Sequence, residues 1–185
     1  MDDSLERAIR EHVEIVSYDP RWPDMFAAER ERLRGICPEL AAVEHVGSTA
    51  VVGLSAKPVV DLMGAVASMK VADVLVERLC GMGGAGAGGY VTSAEFNATL
   101  NDRRWLMRHA QGRRTHHLHL VVAGSEAWRR TILFRDLLRK DGELARAYVE
   151  KKRQLARAME ADREGYTAAK GAFIEAVLGR AELAG

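Results

Sequence analysis

Two apolar runs joined by a short loop constrain this chain more than any other feature. The first, AAVEHVG (41–47), leads into Gly47-Ser48, and the second, PVVDLMGAV (58–66), has Asp61 as its only charged residue. Runs of this length and composition predict two β-strands. A carboxylate within an apolar strand is costly to bury unless a cation or hydrogen-bond donors meet it, so Asp61 is a candidate functional residue.

The Gly-Ser pair at the end of the first strand is a candidate phosphate site. Glycine lets the backbone approach a ligand closely, and the serine hydroxyl with the amides that follow can point together at an anion. Gly-Ser for phosphate with Asp61 on the next strand for Mg²⁺ is the arrangement of a nucleotidyltransferase, in which metal ions neutralise a triphosphate. These residues alone leave a second interpretation open, in which Gly47-Ser48 is a turn and Asp61 bonds to backbone amides.

The rest of the chain predicts a mixed α/β protein. An edge strand is expected over 12–18, a helix between Pro20 and Pro38, and a second helix over 69–80. Segments 103–109 and 115–122 read as a hairpin, and the remainder is helical. The fold class is therefore α/β (α+β), a mixed sheet of four to six strands with packed helices and a helical C-terminal half. We expect one domain over 1–185, with 1–12 as a frayed arm or short helix.

Composition excludes some classes of function and keeps others. No apolar run approaches the roughly 18 residues of a membrane span, and the polar N-terminus is not a secretory signal, so a cytoplasmic protein without a membrane partner is expected. Residues 103–139 carry nine arginines against two acidic residues. That block indicates an anionic ligand, or else a solvated helix face paired with the acidic N-terminal region.

A glycine-rich segment imitates a cofactor motif. Residues Gly84 to Gly89 are a literal match to G-x-G-x-x-G. A dinucleotide site requires a strand before the motif and a helix after it, and here the order is reversed. We interpret the segment as a surface loop and assign it no cofactor.

Three stretches together resemble the GrpB family: YDPRWPDMFAAERERL, HVGSTAVVGLSAKPVVDLM and RTHHLHLVVAGSEAWRRTILFRDLLRKDGELARAYVEKKRQLA. The resemblance runs from about residue 13 to 180. It implies the nucleotidyltransferase superfamily, with the DNA polymerase beta-like fold. The same domain occurs behind dephospho-coenzyme A kinase in some bacteria, but this chain has no G-x-x-x-x-G-K-[ST] pattern, so the resemblance does not extend to the kinase part.

Carried over by position, the resemblance assigns Gly47 and Ser48 to the superfamily's Gly-Ser motif and Asp61 to the first carboxylate of its Asp-x-Asp pair. The second position, two residues on and on the same strand face, is Met63. A thioether is a poor ligand for Mg²⁺, which prefers oxygen. The resemblance thus implies Mg²⁺ or Mn²⁺ on Asp61 with ATP or another nucleoside triphosphate, while Met63 argues against a two-metal centre.

Further candidates are histidines and basic residues. His117 and His119 share one face of a strand, where either can serve as general base or as ligand of a softer metal such as Zn²⁺ or Mn²⁺. The alternative is a structural role, with their rings bonded to backbone or carboxylates. The remaining candidates for binding the nucleotide phosphates are Thr49, Lys57, Arg104 and Arg129.

Two functional hypotheses follow. The first is a metal-dependent nucleotidyltransferase that moves a nucleotidyl group from a nucleoside triphosphate to an unknown small acceptor. The second is a catalytically weak or inactive module of the same fold that acts as a binding or assembly partner. Nucleic acid is not expected as a partner, because the arginine block has few aromatics suited to stacking.

Overall fold

A computed structural model describes residues 15–82, 89–110, 113–158 and 163–184 of the chain. The predicted arm (1–12) and nearly all of the glycine-rich loop lie outside these residues. Within them, none of the helices is both long and apolar enough to cross a bilayer.

A five-stranded mixed sheet forms the centre of the fold. Its strands are β1 (Ala42–Val46), β2 (Val60–Val66), β3 (Tyr90–Val91), β4 (Arg103–Ala110) and β5 (Arg113–Val122). Their order in the sheet is β1-β2-β5-β4-β3. The β2–β5 pair is parallel, and the other pairs are antiparallel. The parallel register places Asp61 directly opposite His117, and Met63 opposite His119.

Within the described parts of the chain, six α-helices pack around this sheet. They are α1 (Trp22–Ile36), α2 (Met69–Gly81), α3 (Ala94–Ala98), α4 (Glu126–Lys140), α5 (Gly142–Ala158) and α6 (Arg163–Ala184). Serine caps begin three of them, since the hydroxyls of Ser68, Ser93 and Ser125 accept from backbone N–H groups in the first turn. The last turn of α4 includes Leu137, Arg139 and Lys140. The next residue is Asp141, whose side chain caps the start of α5.

The main core lies between the sheet and helices α1 and α2. Trp22 and Leu33 of α1 and Leu75 and Leu79 of α2 are at most 2% exposed and pack against β2 and β5. This layer also contains a buried carboxylate, that of Glu29 on α1. It accepts hydrogen bonds from Tyr90, Arg32 and Arg108, which together offset the cost of burying its charge.

Helices α4, α5 and α6 make a second layer. Leu138, Tyr148 and Val149 pack there against Val51 and Leu54 from the β1–β2 loop. The predicted mixed sheet with a helical C-terminal half is therefore confirmed. The predicted edge strand over 12–18 is reduced, among the described residues 15–18, to one bridge between Val16 and Ala56, after which the chain turns at Asp19 to enter α1.

Candidate functional site

The Gly-Ser loop lies directly on the Asp61 carboxylate. Gly47 has φ 69° and ψ −169°, a backbone conformation that is essentially restricted to glycine. A Cβ at this position would lie 2.5 Å from Asp61 Oδ2. The residue that follows, Ser48, begins a short 3₁₀ turn, Ser48–Ala50, whose first N–H groups have no partner within the turn. Glycine is therefore required here both for the backbone conformation and to leave room for the carboxylate.

Asp61 and His117 form a hydrogen-bonded pair across the parallel strands. His117 Nδ1 lies 3.1 Å from Asp61 Oδ1, and because the carboxylate can only accept, the nitrogen donates. Burial raises the pKa of the Asp61 carboxyl, but the hydrogen bond from His117 and the charges of His117 and Lys170 outweigh it, so this pKa lies below its usual value. The Asp61 side chain keeps 30% of its surface exposed and is ionised at neutral pH.

A lysine that the sequence analysis did not identify reaches the Gly-Ser loop from helix α5. Lys152 Nζ donates to Ser48 Oγ at 2.8 Å and to the Ser55 carbonyl at 3.1 Å, and the residue is only 4% exposed. Burial lowers the pKa of Lys152 to about 8, with Lys170 contributing in the same direction and Asp61 opposing it. The ammonium group bonded to the motif serine gives this loop a charged hydrogen-bond donor.

The helical layer also fixes the backbone of the loop through arginines. Arg135 donates to the His45 carbonyl at 3.1 Å, and Arg139 donates to the Ala50 carbonyl at 3.0 Å. The His45 carbonyl comes just before the stretch Val46–Thr49, and the Ala50 carbonyl comes just after it. Because Arg135 and Arg139 come from α4 and Lys152 from α5, the conformation of the loop depends on docking of the helical half against the sheet.

A pocket of about 900 Å³ opens beside this loop, between the sheet and helices α4 to α6. Gly47, Asp61 and His119 line one end of it, and Lys170 of α6 faces the same space. His119 Nδ1 is buried and has no hydrogen-bond partner among the described residues. Burial lowers the pKa of His119 to about 4, so its imidazole is neutral at pH 7 and able to accept a proton or a hydrogen bond.

The structure places the predicted site residues in two groups. Gly47, Ser48, Asp61, His117 and His119 come together where β1 ends and β2 begins, beside the middle of β5. The other four candidates lie elsewhere.

Thr49, Arg104 and Arg129 lie apart from this cluster for clear physical reasons. Thr49 is 2% exposed, and its hydroxyl bonds at 3.0 Å to His45 Nε2, so it stabilises the turn. Arg104 pairs with Asp73 of α2 at 2.6 Å, and Arg129 donates to the Gly124 carbonyl. Lys57 belongs to the β1–β2 loop, outside the residues that line the pocket. The arginines that do line the pocket are Arg103, Arg130 and Arg135, each paired with acidic side chains.

Met63 occupies the position of the second carboxylate and belongs to an apolar cluster. It is 2% exposed and packs with Val46 and Val121 against Trp128 and Ile132 of α4. No group of three or more His, Cys, Asp or Glu side chains within the described ranges is arranged to hold a metal ion. The residues present fit one Mg²⁺ or Mn²⁺ that takes Asp61 as its protein ligand and phosphate and water oxygens for the rest, and they do not fit a two-metal centre.

Introducing the absent carboxylate is expected to damage the fold. Met63→Asp places a charge among apolar side chains and should lower the free energy of unfolding by about 3–5 kcal/mol, measured by urea denaturation. Val52→Asp, at an 81% exposed loop residue, is the control and should change it by less than about 0.5 kcal/mol. Recovery of the Met63→Asp stability on adding Mg²⁺ would contradict our interpretation, because it would reveal a retained second metal position.

The mixed α/β sheet with a Gly-Ser loop packed on a strand aspartate is the architecture that the sequence resemblance implied. The GrpB protein family model matches residues 12–180. The chain belongs to the GrpB family.

Relatives and solved structures agree with this assignment. The chain is 37% identical over 173 residues to the UPF0157 protein of Deinococcus radiodurans, covering 92% of this chain and 84% of that protein. The crystal structure of the conserved protein GrpB from Enterococcus faecalis aligns with a TM-score of 0.70 at 28% identity, over 89% of this chain and 99% of that one.

Some relatives are considerably longer than the matched region. The UPF0157 protein YqkA of Bacillus subtilis is 34% identical over 145 residues, which is 78% of this chain but 40% of that protein. The dephospho-CoA kinase of Mycolicibacterium paratuberculosis is 31% identical over 185 residues, covering 90% of this chain and 45% of the kinase. The predicted relationship to proteins that also contain a kinase is thus confirmed.

Proposed function

We propose that this protein binds a nucleoside triphosphate with a divalent cation at the Gly-Ser loop and transfers the nucleotidyl group to a small acceptor. One observation carries the proposal: the Lys152 ammonium donates to the Ser48 hydroxyl, and Ser48 directly follows the glycine that leaves room for the Asp61 carboxylate. A cation and a hydroxyl beside a partly exposed carboxylate that lines a pocket suit a phosphate chain that arrives with its own metal ion.

Each group has a distinct part in binding. Ser48 and Lys152 hold phosphate oxygens, and the ammonium supplies the stronger, charge-assisted hydrogen bond. Asp61 is the protein ligand of Mg²⁺ or Mn²⁺, which when bound neutralises phosphate charge. His117 donates to Asp61 Oδ1 and so fixes the carboxylate orientation.

The transfer step needs no reactant other than the nucleoside triphosphate and the acceptor. An acceptor oxygen attacks the α-phosphorus, its new P–O bond forms as the bond to the β-phosphate oxygen breaks, and pyrophosphate leaves with the electron pair. The acceptor proton passes to water or to a neutral imidazole. His119 is neutral and lines the pocket, so it is the residue placed to accept a hydrogen bond from the acceptor.

A second candidate function is favoured by Met63. The buried thioether stands in place of one of the two carboxylates on which two-metal catalysis depends, so in this alternative the fold is retained for binding alone. Such a module would hold the nucleotide or another phosphate ligand in the same pocket and release no pyrophosphate. The two candidates therefore differ in turnover and share the binding site.

Calorimetry with a panel of nucleoside triphosphates, with and without Mg²⁺ or Mn²⁺, tests the proposal. We expect metal-dependent binding that Asp61→Asn weakens at least tenfold, because a charged ligand to the cation is lost. Asp73→Asn is the control, since Asp73 pairs with Arg104 away from the pocket. The absence of binding with every metal would overturn the proposal. Binding without pyrophosphate release in an acceptor screen would favour the second candidate.

A further inference from the structure

The pocket beside Asp61 has an apolar floor that phosphate binding does not use. Val46, Met63 and Val121 supply it from β1, β2 and β5, and none of them is more than 3% exposed. They lie on the same sheet face as Asp61, because Met63 is two residues along β2 and Val121 two residues beyond His119 on β5. A ligand that extends from Asp61 along this face meets hydrocarbon.

Part of the opposite wall is apolar, beside polar side chains that include Glu126, Arg130 and Glu175. Helices α4, α5 and α6 present Phe134, Leu138, Tyr148, Ile174 and Leu178 to the same space. Phe134 and Tyr148 meet edge to face, with ring centroids 5.2 Å apart. Together with the apolar floor, these side chains favour an occupant with an apolar body that lies along the helical wall, where its burial releases water.

The charge at the Asp61 end indicates the head group of that occupant. Lys170 lines the pocket and its charge helps to lower the pKa of Asp61, but it forms no direct hydrogen bond or ion pair with the residues that the structure describes. Lys152, by contrast, is already bonded to Ser48 and Ser55, within the loop assigned above to the triphosphate. Lys170 is thus a second cation, available to an anionic group that comes from the acceptor.

We propose that the acceptor is an amphiphile, with an anionic head held by Lys170 beside Asp61 and an aliphatic body lying between the Met63 floor and the helical wall. This inference rests on the proposed function and names its acceptor class. The pocket volume of about 900 Å³ is near the upper end of ligand pockets in general, which leaves room for an acceptor as well as a nucleotide.

A nucleobase suits these walls less well than an aliphatic body. The edges of a base carry several donors and acceptors, and each loses free energy when buried without a partner. Val46, Met63, Val121, Leu138 and Leu178 offer none. The aliphatic occupant needs only the contacts that these side chains provide.

The test uses a series of n-alkyl phosphates of four, six, eight and ten carbons, with binding to the full chain measured by calorimetry. Burying each methylene should tighten binding about threefold to fourfold until the pocket is filled. Inorganic triphosphate is measured in parallel as a probe of the phosphate site alone. A flat response to chain length together with triphosphate binding would overturn the amphiphile inference and leave the proposed function standing.

Two variants test which residues contact the alkyl chain and the anionic head group of the ligand, and the first of them has a matched control. Ile174→Asn should flatten the chain-length response, whereas Leu183→Asn, at a 90% exposed position on the same helix, should leave it unchanged. Lys170→Met should weaken every alkyl phosphate by about tenfold or more, with the slope retained. If nucleoside triphosphates bind far more tightly than inorganic triphosphate while the alkyl series is flat, a base fills the pocket and the inference fails. Loss of binding by all ligands would instead contradict the proposed function.

Discussion

Replacing Gly47 with alanine should lower the free energy of unfolding by about 2–4 kcal/mol and abolish triphosphate binding. The backbone at φ 69° and ψ −169° costs a residue with a Cβ about 1–3 kcal/mol. In addition, the new methyl would lie 2.5 Å from Asp61 Oδ2, so either the carboxylate or the loop must move. Both movements separate Asp61 from Ser48, and for this reason binding should be lost along with stability.

Gly53→Ala is the matched control for this experiment. Gly53 lies in the same β1–β2 loop with φ 78°, but a Cβ there would meet nothing within 4 Å. It should cost only the backbone strain, about 1–2 kcal/mol, and leave binding intact. Urea denaturation and calorimetry with triphosphate measure the two effects. Equal losses of stability and unchanged binding in both variants would show that the approach of Asp61 to Gly47 has no functional importance.

Local pattern made part of this site predictable. The two strands, the Gly-Ser loop and the placement of Asp61 follow from residues close together in sequence, since an apolar run with a single carboxylate is readable without tertiary information. The sequence offered both His117 and His119 as candidates and did not decide which of them pairs with Asp61. The pairing depends on which strand lies beside β2, and neither periodicity nor spacing determines a parallel register between strands 56 residues apart.

The cations of the site were mostly missed for a different reason. Arg104 and Arg129 were chosen from a dense arginine block, and the structure pairs the first with Asp73 and turns the second to a backbone carbonyl. Which arginines meet acidic partners depends on tertiary packing. Lys152 had a signal that was not used: it falls four residues after Tyr148 and three before Leu155, on the apolar face of its helix.

A charged residue on an apolar face needs a specific partner that offsets the free-energy cost of burying its charge. This holds for Lys152 as much as for Asp61. The helix pattern was interpreted only as packing, so the lysine within it was not considered. The apolar strand β2 and the apolar face of α5 each contain one such charged residue. Comparing the two elements on this point suggests that Asp61 and Lys152 belong to the same site.

Lys152→Met should reduce the affinity for inorganic triphosphate by about tenfold to a hundredfold while leaving the protein folded. The hydrogen bond of an ammonium group to phosphate contributes about 1.5–3 kcal/mol. Methionine keeps most of the length of the lysine stem and loses the contact of the ammonium with the Tyr148 ring. Lys151→Met removes the same charge from the neighbouring position of α5 and is the control. Equal affinity in the two variants would remove Lys152 from the phosphate site.

The pH dependence tests the same lysine in a second way. A bound phosphate favours the charged ammonium, so binding requires Lys152 to be protonated, and affinity should fall as pH rises through the pKa of about 8. The stability of the ligand-free protein should change in the opposite direction. Between about pH 8 and 10 the unfolded chain holds a proton on this lysine that the folded protein has released, so the free energy of unfolding rises with pH.

Calorimetry and urea denaturation from pH 7.5 to 9.5 measure both trends in wild type, Lys152→Met and Lys151→Met. The decline in affinity should be present in wild type and Lys151→Met and absent in Lys152→Met, because methionine has no proton to lose. If the decline persists in Lys152→Met, another group controls phosphate binding, and the ammonium bonded to Ser48 has only a structural part in the loop. If it disappears only in that variant, the lysine of the helical layer and the glycine-serine loop of the sheet form one binding site.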